Sequence, residues 1–190
     1  MRDIDRKLLE DVATCLEYPG IAFEEKSAAA RRGLGLGETP AHRHMGRALS
    51  GLALHLTEQG RAESEEQYTR LFDLSPVCTQ HLGYHLYGDA YERGALLAAL
   101  MPEMEQAGVR LDGELPDFLP VLLRLLARLP DEEDATLLVV YLIAPGLAKM
   151  VAAVEGASDP WSAIVRALDE LLRELVPAGA RETKEAHAHA

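Results

Sequence analysis

A helical spacing of apolar residues runs along almost the whole of this 190-residue chain, and it constrains the fold more than any other feature. Ile4, Leu8, Val12 and Leu16 recur every fourth position and so line one face of a first helix. The segment 161–175 keeps the i, i+3, i+4, i+7 spacing throughout. The sequence shows no sustained alternation of apolar and polar residues, which would indicate strands. The pattern predicts an all-α, single-domain multi-helix bundle of about seven to nine helices.

Helix-capping and helix-breaking residues place the first boundaries. The Tyr-Pro-Gly segment 18–20 would end the first helix, and a short helix is expected from about Ala22 to Arg32. Thr39 can cap a third helix that Gly60 ends, because a threonine hydroxyl accepts a backbone N–H and glycine favours helix C-termini. Ser64 opens a capping box, which predicts the start of another short helix.

The second half of the chain predicts several further helices. The segment from Ser75 to Gly88 is the least regular and is rich in His and Tyr. A helix over 117–129 would be apolar on most sides, so we expect it at the centre of the bundle. The helical domain is expected to span 1–176, and the polar tail 177–190 to be disordered. The other predicted helices are Asp89–Ala107 with a bend at Pro102, Asp131–Ile143 and Gly146–Glu155 on either side of a kink at Pro145, and a last helix capped by Asp159.

The charge of the chain argues against nucleic-acid binding. It carries 19 Lys and Arg against 31 Asp and Glu, and the formal net charge of −12 repels polyanions. The first residues are charged and lack the apolar stretch of a secretory signal. The longest apolar run, 135–148, is shorter than the roughly 20 residues of a membrane span. We therefore expect a soluble, cytoplasmic protein that does not insert into the membrane.

No catalytic motif stands out in the sequence, so we interpret the chain as non-enzymatic and without a metal site. His81 and His85 are four residues apart, which on a helix would bring both imidazoles to one face. Asp89 is the nearest candidate for a third ligand, and a metal- or haem-binding helical protein stays open as an alternative. Cys15 and Cys78 are expected to be two buried thiols. A generic helical adaptor is a further alternative.

Two blocks of sequence, 67–94 and 114–129, carry a more specific pattern. The first contains Tyr-x-x-Leu-Phe and a His-rich segment ending in Gly-Asp-x-x-x-Arg-Gly. The second contains Leu-Pro-Asp-x-Leu-Pro before a leucine-rich helix. Their order and spacing resemble the NarJ branch of the NarJ/TorD family, the dedicated chaperones of molybdenum oxidoreductases. The chain departs from the family pattern at Gly83, Tyr84, Tyr87 and Phe118. The matching residues are Tyr68, Leu71, Phe72, Asp73, His81, Leu82, His85, Gly88, Asp89, Arg93, Gly94, Leu115, Pro116, Asp117, Leu119 and Pro120.

The resemblance implies a TorD-like helical fold and a cytoplasmic assembly chaperone rather than an enzyme. Members of the family bind the N-terminal segment of an apo catalytic subunit, often a twin-arginine leader or its remnant. They hold no cofactor stably, and their client receives molybdopterin guanine dinucleotide before it docks at the membrane or is exported. Resemblance to this branch favours respiratory nitrate reductase as the client. It also implies a role in nitrate assimilation. Other molybdoenzymes remain open, as do a monomer and a domain-swapped dimer.

The resemblance also indicates where a client peptide would bind. An acidic rim would steer an arginine-bearing peptide, and its apolar face would lie in a groove between helices. Tyr68 and Phe72, four residues apart, are favoured as core residues, whereas His85, Tyr87 and Asp89 are favoured for function because loops between helices are common binding surfaces. Asp117 has the competing interpretation of a helix start. The candidate peptide-binding residues are Tyr68, Phe72, His81, His85, Tyr87, Asp89, Arg93 and Asp117.

Overall fold

The computed structural model describes residues 3–20, 23, 39–74 and 78–176. In this part of the chain it contains seven helices, one of them kinked at Gly60, and no strand, which confirms the all-α prediction. The short helix predicted over 22–32 and the tail 177–190 lie outside the described residues, apart from the buried Phe23. The helices are α1 (Asp3–Cys15), α2 (Pro40–Tyr68, continued by a π-helical turn, Thr69–Asp73), α3 (Leu82–Tyr87), α4 (Tyr91–Gln106), α5 (Leu119–Arg128), α6 (Glu132–Ala153) and α7 (Pro160–Leu175).

Two of the predicted helix caps are present in the structure. The side chain of Thr39 accepts the backbone N–H of His42 at 3.3 Å at the start of α2. Asp159 accepts the N–H of Ser162 at 2.9 Å at the start of α7. Each cap satisfies a backbone donor that has no partner within its own helix. The sequence therefore placed these two helix starts correctly.

The helix end predicted at Gly60 is confirmed, but the predicted start of the next helix is not. Gly60 adopts a φ of 75° and a ψ of 175°, so α2 consists of two helical parts joined at a kink there, and the second part runs to Tyr68. The capping box predicted at Ser64 is wrong, because Ser64 is buried inside the helix and its hydroxyl donates to the carbonyl of Gly60 at 2.8 Å. A serine side chain that bonds back to the preceding turn no longer caps a new helix.

The two helical segments predicted on either side of Pro145 form one helix. Helix α6 runs continuously from Glu132 to Ala153 and contains a π-helical segment, Val139–Ile143, immediately before the proline. The N–H of Ala144 bonds to the carbonyl of Val139, five residues back. Since Pro145 then lies in the first turn of the following α-helical part, its missing N–H interrupts no regular bond there.

The length of α6 corrects the argument made from the apolar run 135–148. With 22 residues, the helix is long and apolar enough to cross a membrane by length and composition alone. Core helices of folded proteins meet the same criterion. Gly146, Leu147 and Met150 are buried, and α6 packs against α3 and α7. About 44% of its apolar stretch is buried, so part of α6 packs within the domain and the rest is exposed.

Helix α5 lies at the centre of the domain, as its composition predicted. Eight of its ten residues are buried, and it packs along α1. Arg6 of α1 donates to the carbonyls of Ala127 and Leu129 at 2.8 and 2.7 Å, which satisfies acceptors at the C-terminal end of α5. On its polar side, Arg128 pairs with Glu10 of α1, and Arg124 pairs with Glu17, which follows α1. The central position of α5 fixes the loop before it, which carries Asp117.

Within the segment 75–88, predicted to be the least regular, Leu82–Tyr87 forms a short helix, α3, that packs against α4 and α6. The next helix, α4, begins at Tyr91 rather than at Asp89 and contains Pro102. The position of α3 and the start of α4 matter for the site, because both lie close to the start of α5 around Asp117.

Candidate functional site

An antiparallel bridge between His81 and Phe118 joins the segment before α3 to the segment before α5. The N–H of Leu82 donates to the carbonyl of Asp117 at 2.9 Å, and the N–H of Leu119 donates to the carbonyl of Gln80 at 2.9 Å. The rings of His81 and Phe118 also approach each other, with centroids 5.4 Å apart. This pairing brings together the His-rich motif and the Pro-Asp motif, which are more than thirty residues apart in sequence.

Asp117 is fully buried and lies at the centre of a charged cluster with His81 and Arg93. Arg93 Nε donates to Asp117 Oδ2 at 2.8 Å, and His81 Nδ1 lies 3.1 Å from Asp117 Oδ1. The Arg93 guanidinium also lies 5.6 Å from the centroid of the Tyr84 ring, within cation–π distance. The cluster ties α4 to the start of α5. We call these three residues the Asp117 cluster.

The pKa of Asp117 shows which effect dominates in the cluster. Burial alone would raise its pKa, but the hydrogen bonds from His81 and Arg93 and the positive charge of Arg93 outweigh burial and lower it. Asp117 is therefore a carboxylate at neutral pH. The prediction that Asp117 could serve as the first residue of a helix is wrong, because α5 starts at Leu119. The side chain of Asp117 bonds instead to His81, which precedes α3, and to Arg93 of α4.

Gly83 is needed for this close approach. A Cβ atom at position 83 would lie 2.7 Å from Asp117 Oδ2 and 3.0 Å from Leu96 Cδ2. Since Asp117 is held by two partners, its carboxylate has little freedom to move away. The departure from the family pattern at Gly83 thus has a direct packing reason.

Tyr68 anchors a second group of polar residues. Its hydroxyl donates to the carbonyl of Leu16 at 2.9 Å, and Gln80 Nε2 donates to that hydroxyl at 2.7 Å. The Tyr68 ring packs edge-on against Tyr18, Phe72 and Trp161. Burial raises the pKa of Tyr68 far above its ordinary value, and the charges of Asp73 and Glu114 raise it further. The Tyr68 ring belongs to the core, and the carboxylates of Asp73 and Glu114 influence the pKa of its hydroxyl.

Those carboxylates line a cavity of about 420 Å³ that borders both groups, which we call the acidic groove. Its volume falls within the range of typical ligand sites, roughly 300–1,000 Å³. Three aromatic side chains and four acids face it, together with two arginines and His81 of the Asp117 cluster. The lining residues are Glu17, Tyr18, Tyr68, Asp73, His81, Arg110, Leu111, Asp112, Glu114, Phe118, Val121 and Arg124.

The acids of the groove are only partly neutralised. Arg124 pairs with Glu17 at 2.6 Å, and Arg110 pairs with Asp112 at 2.7 Å. Asp73 and Glu114 form no ion pair with any of the residues that the structure describes. Burial raises the pKa of Asp73, although a hydrogen bond from Thr69 and the charge of His81 act against it. The groove thus keeps an excess of negative charge.

The eight predicted site residues do not form one surface. Tyr68 and His81 line the groove, Arg93 and Asp117 hold His81 from the interior, and Phe72 is buried behind Tyr68. The favoured trio, His85, Tyr87 and Asp89, lies outside the groove, with the last two exposed. Their role as binding residues stays a prediction.

His85 has its own partner away from the groove. His85 Nε2 lies 2.7 Å from the carbonyl of Thr79, so this nitrogen carries the proton and donates. Burial lowers its pKa, which favours the neutral imidazole. His81 and His85 therefore point to different partners, and the described residues contain no group of three or more His, Cys, Asp or Glu arranged to hold a metal ion. The alternative of a metal-binding protein gains no support from this part of the chain.

Both cysteines are buried thiols outside any disulfide, as predicted. Burial raises the pKa of Cys78 to about 12, so its thiol is protonated and unreactive at neutral pH. They contribute to packing and not to a reactive site.

A larger cavity of about 690 Å³ lies elsewhere, among α1, α5, α6 and α7. Its lining combines six aliphatic side chains with three acids and two threonines, and it contains no aromatic residue and no arginine. Size alone does not make it the better candidate, because the acidic groove combines aromatic and charged groups that can orient a ligand.

Sequence reasoning missed most of the groove. Glu17 and Tyr18 follow α1, and Arg110 and Asp112 lie in the loop after α4, so only the folded chain brings them together. Two signals were available in the sequence. Asp73 and Glu114 stand within the two motif blocks, and Tyr18 next to a proline at a helix end is a large side chain that the helical pattern does not use.

The comparisons with known proteins agree on one group of relatives. The family model for the nitrate reductase delta subunit matches residues 39–167, which include most of the groove. The nitrate reductase molybdenum cofactor assembly chaperone NarJ of Escherichia coli K12 is 33% identical over 127 residues, 64% of this chain and 52% of that protein. The probable chaperone NarW from the same strain is 31% identical over 110 residues, 57% of this chain and 47% of that protein. The chain thus spans about half the length of these relatives.

Proposed function

The chain belongs to the nitrate reductase delta subunit family, and we propose that it is a non-catalytic, cytoplasmic assembly chaperone for a nitrate reductase. Its matched relatives are named as chaperones of molybdenum cofactor assembly in nitrate reductase. In this proposal the client is the apo catalytic subunit, and the chain binds the N-terminal segment of that subunit. The chaperone itself holds no cofactor stably, and the client receives molybdopterin guanine dinucleotide.

The acidic groove is the observation that carries the proposal. Asp73 and Glu114 lack a cationic partner among the described residues, and Tyr18, Tyr68 and Phe118 supply aromatic surface beside them. Carboxylates form strong, charge-assisted hydrogen bonds with a guanidinium, and aromatic faces attract it. The groove therefore suits an arginine that extends from a peptide with apolar neighbours, as in a twin-arginine leader or its remnant.

The Asp117 cluster gives the groove a rigid wall. His81 is held by the buried Asp117, and Asp117 is fixed in turn by Arg93. A wall that is already ordered loses less conformational entropy when a peptide binds. In this account His81 and Phe118 contact the client, whereas Arg93 and Asp117 position them.

Binding of the N-terminal segment would keep the client out of its final location. While the segment lies in the groove, it is unavailable for membrane docking or export, and cofactor insertion can proceed. Release after insertion would then let the subunit dock. In this proposal the chaperone only delays docking or export until the cofactor is inserted, and it performs no covalent chemistry.

Calorimetry with a synthetic peptide tests the proposal. The peptide is the N-terminal segment of the nitrate reductase catalytic subunit from the same organism, and the protein is the full chain. Asp73→Asn and Glu114→Gln should each weaken binding about three- to tenfold, or roughly 0.7–1.4 kcal/mol, because each removes a carboxylate from the guanidinium. The affinity should also fall as salt is added.

Glu133→Gln is the matched control, since Glu133 is an exposed acid at the start of α6 and lies outside the groove. It should bind the peptide as the wild type does. The proposal fails if the peptide does not bind, or if the groove variants and the control behave alike.

A further inference from the structure

Helix α4 exposes an apolar surface that the groove does not use. Between Gly94 and Pro102 nine consecutive residues carry no charge. A helix at the surface of a domain normally places charged and polar residues on its outer side. The exposed side of α4 lacks such residues over 94–102.

One side of α4 accounts for all of its packing. Leu100 and Met104 are buried, Leu96 lies near Gly83, and Arg93 bonds to Asp117. At 100° per residue these positions fall on the same side of the helix. Helix α4 is therefore fixed to the domain through this inner side.

The opposite side is apolar and exposed. Tyr91, Ala95, Ala98 and Pro102 follow the helical spacing i, i+4, i+7, i+11, and all four are exposed. Tyr91 is 88% exposed, and Met101 at the edge of this side is 47% exposed. We call these five residues the outer face of α4. Its small alanines allow another helix to approach closely, at an axial distance of roughly 8–10 Å.

Within 89–106, the charged residues outside the inner side are all acids. Asp89 and Glu92 lie at the N-terminal end of the outer face, and Glu103 and Glu105 at its C-terminal end, all exposed. The one cation in 89–106 is Arg93, which lies on the inner side and pairs with Asp117. An apolar strip between two acidic ends is complementary to an apolar strip that is flanked by Lys or Arg.

We propose that the outer face of α4 is a docking surface for a basic amphipathic helix of a partner protein. A second copy of this chain is a poor occupant, because self-docking would place acids against acids. Anionic partners are disfavoured for the same reason. The face lies on the side of α4 opposite Arg93 and the Asp117 cluster, so this inference does not rest on the function proposed for the groove.

Two synthetic helical peptides of about 18 residues, or five turns, test the proposal. Both carry the same Leu/Ala strip, flanked by Lys in one peptide and by Glu in the other, and their binding to the full chain is followed by fluorescence anisotropy. The Lys peptide should bind saturably, and the Glu peptide should bind at least tenfold more weakly. Amide hydrogen exchange should slow in α4 when the Lys peptide is bound.

Ala98→Lys places a cation at the centre of the outer face and should weaken binding of the Lys peptide at least tenfold. Ala152→Lys is the matched control, since Ala152 is an exposed alanine in another helix, α6, and it should leave the affinity within twofold. The double variant Asp73→Asn, Glu114→Gln should also bind normally, which separates this face from the groove.

Three results would overturn the proposal. One is equal binding by the Ala98→Lys and Ala152→Lys variants, and another is equal affinity for the two peptides. The third is a wild-type dimer in sedimentation that Ala98→Lys converts to a monomer, because the occupant would then be a second copy.

Discussion

The Asp117 cluster and the acidic groove both place carboxylates beside arginines and share His81, yet their acids behave in opposite ways. Asp117 is fully buried and held by Arg93 and His81, and its pKa is lowered. Asp73 in the groove lacks an ion pair among the described residues, and its pKa is raised. A buried charge that is fully paired supports the fold, whereas an acid without a partner costs some stability and is available to bind one.

The largest effect that would test this comparison is on stability. Asp117→Asn should lower the free energy of unfolding by about 3 kcal/mol, because it leaves Arg93 and His81 without their buried anion. Asp112→Asn, which breaks the exposed pair with Arg110, should change it by no more than about 0.5 kcal/mol. Urea denaturation of both variants provides the measurement. Similar losses in the two variants would contradict the distinction between the two regions.

A smaller effect is expected at Gly83. Gly83→Ala should destabilise the protein by about 1–3 kcal/mol, because the new methyl group would press on the fixed carboxylate of Asp117. Gly94→Ala is the matched helical control, since a Cβ atom there meets nothing within 4 Å. That variant should be more stable than the wild type by up to about 1 kcal/mol, because alanine has a higher helix propensity than glycine. Thermal or urea unfolding decides the result, and a neutral Gly83→Ala would show that the cluster is not rigid.

The weakest expected effect is on pH dependence, and it differs in sign between the two carboxylates. The folded pKa of Asp117 is lowered, so its stabilisation is present above the unfolded pKa of about 3.9 and is lost as the pH falls through the folded value. The gap in unfolding free energy between the wild type and Asp117→Asn should therefore be constant above about pH 5 and narrow below about pH 4.

Asp73 should show the reverse trend. Because its folded pKa is raised, its ionisation disfavours the folded state, so Asp73→Asn should be at least as stable as the wild type at pH 7 and lose that advantage in acid. Urea unfolding between pH 2.5 and 7 measures both curves. Parallel curves for the two variants would remove the electrostatic contrast.

The sequence predicted local features well. Apolar spacing identified the helices, and the caps at Thr39 and Asp159 were confirmed because a cap depends on residues only three positions apart. The same local reasoning failed at Ser64, where a hydroxyl suited to a cap bonds to the preceding turn instead. A local motif can satisfy more than one geometry, and packing selects between them.

The site was harder to predict because its contacts are not local. Arg93 and Asp117 are separated by 24 residues, and Arg124 meets Glu17 across 107 residues. No periodicity encodes such pairs. The motif blocks did locate His81 and Tyr68, and the resemblance to the family was confirmed, but the loop residues Arg110 and Asp112 carried no signal until the chain was folded.

The π-helical segment Val139–Ile143 has a consequence for the rotational register of α6. A π-helical turn holds about one residue more than an α-helical turn, so it acts as a one-residue insertion that the helix has absorbed. On either side of it, Ala135 and Leu147 both face the core. Without the extra residue, the part after Pro145 would turn by about 100°, the angle of one helical position. Gly146 would then no longer face Leu82, so this single turn sets the alignment between the two ends of α6.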